Sequence, residues 1–111
     1  MSKVNVGVTG TGSLIGQAII KCLKLSDLGG RVSLVGMDYF DGTVGSRWTD
    51  RNYLLPDILK PDVIEDQWLA ELSAIIKKEQ LAYLFVGVDF ELPILAAAKE
   101  RLLEETGCVV L

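Results

Sequence analysis

Apolar residues fall along this chain in two rhythms, short continuous runs and longer stretches with a helical repeat. Their alternation predicts the element order β-α-β-β-α-β-α-β. Val4 to Thr9 is nearly all apolar, as a strand covered on both faces should be. Over residues 14–25, Leu14, Ile15, Ala18, Ile19, Cys22 and Leu23 recur at helical spacing while Gln17, Lys21 and Lys24 fall opposite. This predicts a first helix that buries the apolar set. Asp27 to Gly30 ends it, with Gly29 and Gly30 as C-terminal stops. Arg31 to Met37 reads as the second strand, Asp38 to Ser46 as a loop, and Asn52 to Leu55 as a short strand stopped by Pro56.

Asp62 followed three residues later by Glu65 has the spacing of a capping box, and Ile64, Trp68, Leu69, Leu72, Ile75 and Ile76 follow the helical repeat. A second helix is therefore expected to run to about Lys78, with Trp68 on its buried stripe. Leu81 to Val88 is the next buried strand. Glu91 to Glu105 makes a third helix, with Pro93 tolerated in its first turn and Gly107 as its stop. Cys108 to Leu111 is the last strand.

Runs of this kind joined by helices predict an α/β fold, a three-layer Rossmann-like domain with a mostly parallel sheet of four to five strands and helices on both faces. All strand C-termini then lie on one rim. In open parallel sheets ligands bind in the crevice outside those carboxyl ends, so Gly10 to Ser13, Asp38 to Asp41 and Asp89 to Glu91 are expected to converge. The segment Thr9-Gly10-Thr11-Gly12-Ser13-Leu14-Ile15-Gly16 reads as strand end, glycine turn and helix start. Its Gly-x-Gly-x-x-x-Gly spacing is one residue longer than the dinucleotide fingerprint. Gly10, Thr11, Gly12 and Ser13 suit an anion or nucleotide held by backbone amides, and equally a tight turn with no ligand. Asp38 ends strand two about twenty residues after the glycine turn, where a dinucleotide fold places its ribose-binding acid; it is also a common turn former. Asp89 and Glu91 suit capping of the third helix, or projection into the crevice, where Glu91 would meet a substrate hydroxyl or amine or support a magnesium ion through water. Trp48 sits in a polar stretch with Arg47 and Arg51, suited either to a partner surface or to anchoring a loop.

Composition narrows the chemistry. The 111 residues carry a net charge of −4 at pH 7, which argues against nonspecific nucleic-acid binding. No apolar stretch approaches the roughly 20 residues needed to cross a bilayer, and a soluble, cytoplasmic protein is expected. Histidine is absent, removing the commonest general base and metal ligand together. The two cysteines, Cys22 and Cys108, each lie within an apolar element and are expected to be buried thiols. Neither a catalytic residue nor a metal ligand is expected in this chain.

The order of these pieces resembles the N-terminal domain that precedes the ATP-grasp domain in ATP-dependent carboxylate-amine ligases, particularly those similar to the carbamoyl-phosphate synthase large chain. The resemblance runs through Val4 to Gly12, Gly36-Met37-Asp38, Gly45 to Asp50 leading into Tyr53-Leu54-Leu55-Pro56, and Phe85 to Leu92. It implies that residues 1–111 form a pre-ATP-grasp domain, part of a longer enzyme in which ATP phosphorylates a carboxylate and an amine attacks the acyl phosphate. ATP and magnesium would then belong to the parent enzyme, held mostly by an adjoining ATP-grasp domain. This domain would contribute one wall of the substrate cleft through the glycine turn and Asp89 to Glu91. The alternative is the NAD(P)-binding domain of a short-chain dehydrogenase or epimerase, since Thr9-Gly10-x-x-Ser13-x-x-Gly16 resembles that glycine turn; no Tyr-x-x-x-Lys pair follows in the chain. A third reading is an interaction domain with its partner around Trp48. A homodimer through the sheet edge is compatible with the sequence, and no feature demands it.

Overall fold

Alternate residues of the first strand face opposite layers, and this sets the architecture. The computed structural model describes residues 3–26 and 30–111. Among these, β1 (Val4–Thr9), β2 (Val32–Asp38), β3 (Arg51–Leu54), β4 (Tyr83–Phe85) and β5 (Val109–Val110) form one five-stranded sheet in the order β3-β2-β1-β4-β5. Every neighbouring pair is parallel. Val6 and Val8 meet Leu34 and, from α1 (Leu14–Leu25), Ile20 on one face. On the other, α2 (Glu65–Glu79) and α3 (Leu92–Thr106) bury Trp68, Leu72, Ile76, Leu95 and Leu102 against Val35, Met37 and Leu84. Trp68 is 1% exposed and lies in this larger core, as its place on the helical stripe predicts. Full burial of each such apolar side chain contributes about 1.5–3 kcal/mol, so this layer supplies most of the cohesion.

The first helix is rotated from the expected orientation. Gly16 and Ile20 are its buried residues, whereas Leu14 is 86% exposed, Ile15 is 49% exposed, and Ala18 and Cys22 are exposed as well. The reason lies in the turn before it. A Cβ on Gly16 would overlap the Gly10 carbonyl, so the helix seats its glycine against the loop and carries Ile20 and Leu23 onto the sheet. The face bearing Leu14, Ile15 and Cys22 turns outward, and the expectation that both thiols are buried holds only for Cys108. Of the predicted stop at Asp27 to Gly30, residues 27–29 lie outside the described residues, and α1 ends ahead of it at Leu25 with Ser26 as its C-cap.

Boundaries moved where local bonds replaced the expected signals. Asp62 and Glu65 do not form a capping box: the chain turns at Lys60, where the Val63 amide bonds the Lys60 carbonyl, and α2 starts after an Ile64 N-cap that makes no side-chain cap bond. Glu65 and Asp66 instead sit in the first turn, where their charges favour the positive helix end. β4 is shorter than predicted because the Gly87 amide bonds the Thr9 hydroxyl and the Gly87 carbonyl accepts from Ser13, drawing the chain off the ladder. Gly107 does end α3, at φ +76°, with its amide on the Leu103 carbonyl at 2.9 Å.

At the opposite end of the sheet from the glycine turn, Glu79 closes α2 onto two strands. Arg51 Nε donates to its Oε1 at 2.6 Å, the Tyr53 hydroxyl donates to its Oε2, and Asn5 Nδ2 donates to its carbonyl at 2.7 Å. The Tyr53 hydrogen bond, with Arg51, holds the Glu79 carboxyl below the usual range against the opposing effect of burial. Trp48 packs half-buried on the smaller core with Lys21 Nζ 5.0 Å from its ring centre, so it anchors its loop.

Candidate functional site

Three segments leave the carboxyl ends of β1, β2 and β4 and enclose a cleft of about 540 Å³. The first is the glycine turn. Gly10 takes φ +68°, a left-handed conformation in which a side chain would also collide with Val88, and the turn then runs straight into α1. Ser13 is the N-cap: its hydroxyl accepts from the Gly16 amide at 2.9 Å. The same oxygen lies 2.8 Å from the Gly10 carbonyl and 2.7 Å from the Gly87 carbonyl, so one proton is shared between two acceptors. Turn, helix and the segment after β4 are thus joined at a single side chain.

The second segment begins with Asp38, which faces back onto the turn. Its Oδ2 accepts from the Gly12 amide at 2.8 Å, and its Oδ1 from the amides of Tyr39 at 2.7 Å and Phe40 at 3.2 Å. Three of its roughly four acceptor positions are therefore filled by the chain's own backbone. Asp38 plays the turn-former's part and also locks two of the three segments together. Thr11 does not join the cleft lining. It is 1% exposed, and its hydroxyl pairs with that of Thr43 at 2.6 Å.

The third segment, Gly87 to Glu91, carries the remaining predicted residues. Asp89 lies exposed in a 3-10 turn over Asp89–Glu91 and lines the cleft. Neither it nor Glu91 caps α3, which has no side-chain cap bond; Pro93 in the first turn removes one of the amides a cap would satisfy. Glu91 turns inward and is 3% exposed. It bonds Thr9, whose hydroxyl also accepts from the Gly87 amide at 3.0 Å, while its Oε1 is buried with no hydrogen-bond partner. Burial raises the Glu91 carboxyl to about 7, the Thr9 bond opposes this, and the Asp38 charge adds to it. Burial and the charges of Asp38, Asp57 and Glu91 raise the Tyr39 phenol in the same way.

Gly10, Gly12, Ser13, Asp38 and Asp89 thus meet at one rim, while Glu91 is buried and off the cleft lining. Tyr39 and Phe40, which the sequence offers as part of a stacking surface, do line the cleft, and sequence reasoning missed Phe90, Leu14 and Ile15 beside them. Leu14 and Ile15 stand on one side, and the Tyr39, Phe40 and Phe90 rings on the other; the Tyr39 centroid lies 4.9 Å from that of Phe40 and 6.0 Å from that of Phe90. The available signal was position: Tyr39 and Phe40 directly follow Asp38, and Phe90 lies between Asp89 and Glu91.

No family model matches the chain, and no curated protein matches it. Solved structures do. The chain superposes on the biotin carboxylase domain of the 2-oxoglutarate carboxylase of Hydrogenobacter thermophilus, solved as a dimer with MgADP, ADP and bicarbonate, at a TM-score of 0.64 and 18% identity. It also superposes on dTDP-glucose 4,6-dehydratase of Bacillus anthracis with NAD, at 0.59 and 13% identity. UDP-glucose 4-epimerase of Stenotrophomonas maltophila, with NAD and formylated UDP-arabinopyranose, gives 0.58 and 15% identity. The fold is Rossmann-like. The match to the carboxylase spans 99% of this chain and 23% of that one, and the matches to the dehydratase and the epimerase each span 96% of this chain and 36% of theirs. The chain is thus about a quarter to a third the length of these neighbours.

Proposed function

We propose that residues 1–111 are the N-terminal, pre-ATP-grasp domain of an ATP-dependent carboxylate-amine ligase, related to the carbamoyl-phosphate synthase large chain, and that the domain builds one wall of the substrate cleft without being catalytic alone. The superposition on a biotin carboxylase domain, an ATP-grasp enzyme, supports this reading, as does the order of motifs from the glycine turn to Phe85–Leu92. The observation that carries it against the dehydrogenase reading is the state of Asp38. A dinucleotide-binding acid must offer its oxygens to a ribose, and this one is already bonded to Gly12, Tyr39 and Phe40.

The residues of this cleft do not suit MgATP. No lysine or arginine lines it, and among the described residues no three His, Cys, Asp or Glu side chains converge on a metal position. In the parent enzyme ATP and magnesium therefore fall to the adjoining ATP-grasp domain, which is this chain's principal partner. A small-molecule substrate is shared between the two. The dimer of the biotin carboxylase domain makes a homodimeric parent a reasonable model to test. No described helix is long and apolar enough to cross a membrane, in keeping with the proposed cytoplasmic location, and the acidic chain is not proposed to bind nucleic acid.

Reading the native frame beyond Leu111 tests the proposal. An ATP-grasp domain there, with a glycine-rich lid, a phosphate-binding lysine and paired Glu and Asn magnesium ligands, supports it. A stop at Leu111, or a Tyr-x-x-x-Lys segment, sinks it. The purified chain should show no magnesium-dependent ATP turnover, and NAD or NADP should leave the amide resonances of Gly10, Gly12 and Asp38 unshifted.

A further inference from the structure

A glycine turn at a strand-helix junction ordinarily advertises phosphate, but the amides of Gly12 and Ser13 and the Ser13 hydroxyl are occupied here. The Gly12 amide is bonded to Asp38 Oδ2 at 2.8 Å and the Ser13 amide to the Gly10 carbonyl at 2.9 Å. The Ser13 hydroxyl is held by Gly10, Gly87 and Gly16. An arriving anion would also meet the Asp38 and Asp89 carboxylates with no basic side chain on the cleft lining to offset them. Opposite α1, three aromatic rings form a tilted stack from Phe40 through Tyr39 to Phe90. Glu91, 3% exposed, stays off the cleft lining. Acidic groups and ring faces are complementary to a positive donor.

We infer that this cleft binds an organic ammonium ion carried on an apolar or flat body, its body against Tyr39, Phe40 and Phe90 and its charge toward Asp38 and Asp89. The inference deepens the ligase reading and rests on it for its biological sense: this wall would present the amine that attacks the acyl phosphate. The three rings and the Leu14 and Ile15 side chains on the lining point to an organic cation with an apolar body that they can cover.

The test is a 15N chemical-shift titration of the 111-residue chain with benzylammonium chloride, and in parallel with sodium benzoate and inorganic phosphate at matched ionic strength. Benzylammonium is expected to move the amides of Tyr39, Phe40, Asp89 and Phe90 saturably, while benzoate and phosphate leave them in place. Phe40→Ala and Asp89→Asn alter exposed side chains, so their folds should survive. Each should weaken benzylammonium by roughly threefold. Absence of saturable shifts with benzylammonium, equal shifts with benzoate, or a phosphate response at Gly12 to Ile15 overturns the inference. These outcomes are separate from the fate of the ligase reading: ammonium binding in a frame that lacks an ATP-grasp domain keeps the cleft and loses the ligase, and an ATP-grasp domain beside an unresponsive cleft does the reverse.

Discussion

Glu91 keeps a proton in the native chain that the unfolded chain gives up. Its carboxyl is raised by burial to about 7, from a usual value of 4.5. Between these values the native state binds more protons, so stability falls as pH rises through this window and levels off above about 7. At about 1.4 kcal/mol per unit, the decline is on the order of 3 kcal/mol. Glu79 acts in the opposite sense and elsewhere. Its lowered carboxyl contributes stability that is present above its unfolded value and is lost as pH falls through the folded one, so its effect lies on the acid side of the Glu91 window. Urea unfolding at pH 5 and pH 8 therefore isolates Glu91. Glu91→Gln is expected to flatten the difference, and a variant that keeps the parent's slope would place the titration on another group.

At the scale of the element, the rim depends on Ser13, because one hydroxyl caps α1 and reaches two carbonyls of neighbouring segments. Ser13→Ala should lose the cap, at about 1 kcal/mol, and leave the Gly87 carbonyl short of a donor, while the Gly10 carbonyl keeps the Ser13 amide, for a total of about 1–2 kcal/mol. For a domain of this size that lowers the Tm by about 4–8 °C per kcal/mol. Calorimetry checks it, and an unchanged Tm would mean that water replaces the hydroxyl at no cost. The existence and order of every strand and α-helix were legible from periodicity, as were the span of α1 and the glycine stop of α3, whereas the 3-10 turns at Gly45–Trp48 and Asp89–Glu91 were not. Element starts were less so. Asp62 and Glu65 have capping-box spacing, but the turn at Lys60 moves the N-cap to Ile64. Spacing records which side chains are available, whereas a cap requires that the backbone turn at that residue.

For the whole molecule, the rotation of α1 has a consequence for thiol chemistry. Cys22 is exposed on the outward face, while Cys108 is buried against α3 and its thiol is pushed up to about 11 by that burial. A disulfide reagent such as DTNB at pH 8 should titrate one thiol quickly in the native chain and the second only on unfolding, because the thiolate is the reacting species. Two thiols reacting together would show that α1 does not sit as described. The same rotation sets Leu14 and Ile15 at the mouth of the cleft. Periodicity marks α1 as amphipathic, but its apolar set is broad, and a repeat cannot say which part of a broad stripe is seated. Gly16 against the Gly10 carbonyl decides that.

The sequence by itself determined the layers. Continuous apolar runs become strands covered on both faces, helical repeats become the covers, and parallel connection brings every carboxyl end to one rim. It therefore located Gly10, Gly12, Ser13, Asp38 and Asp89 at that rim, since this follows from topology, whereas Thr11 and Glu91, expected there too, are buried off the cleft lining. Only the tertiary structure decided what the rim offers. Asp38 turns onto Gly12, Ser13 onto Gly87, Thr11 onto Thr43, and Glu91 inward, while three rings and two aliphatic side chains form the walls. Side-chain direction depends on contacts between residues distant in sequence, where hydrogen bonding and close packing choose among rotamers that local pattern leaves equally open.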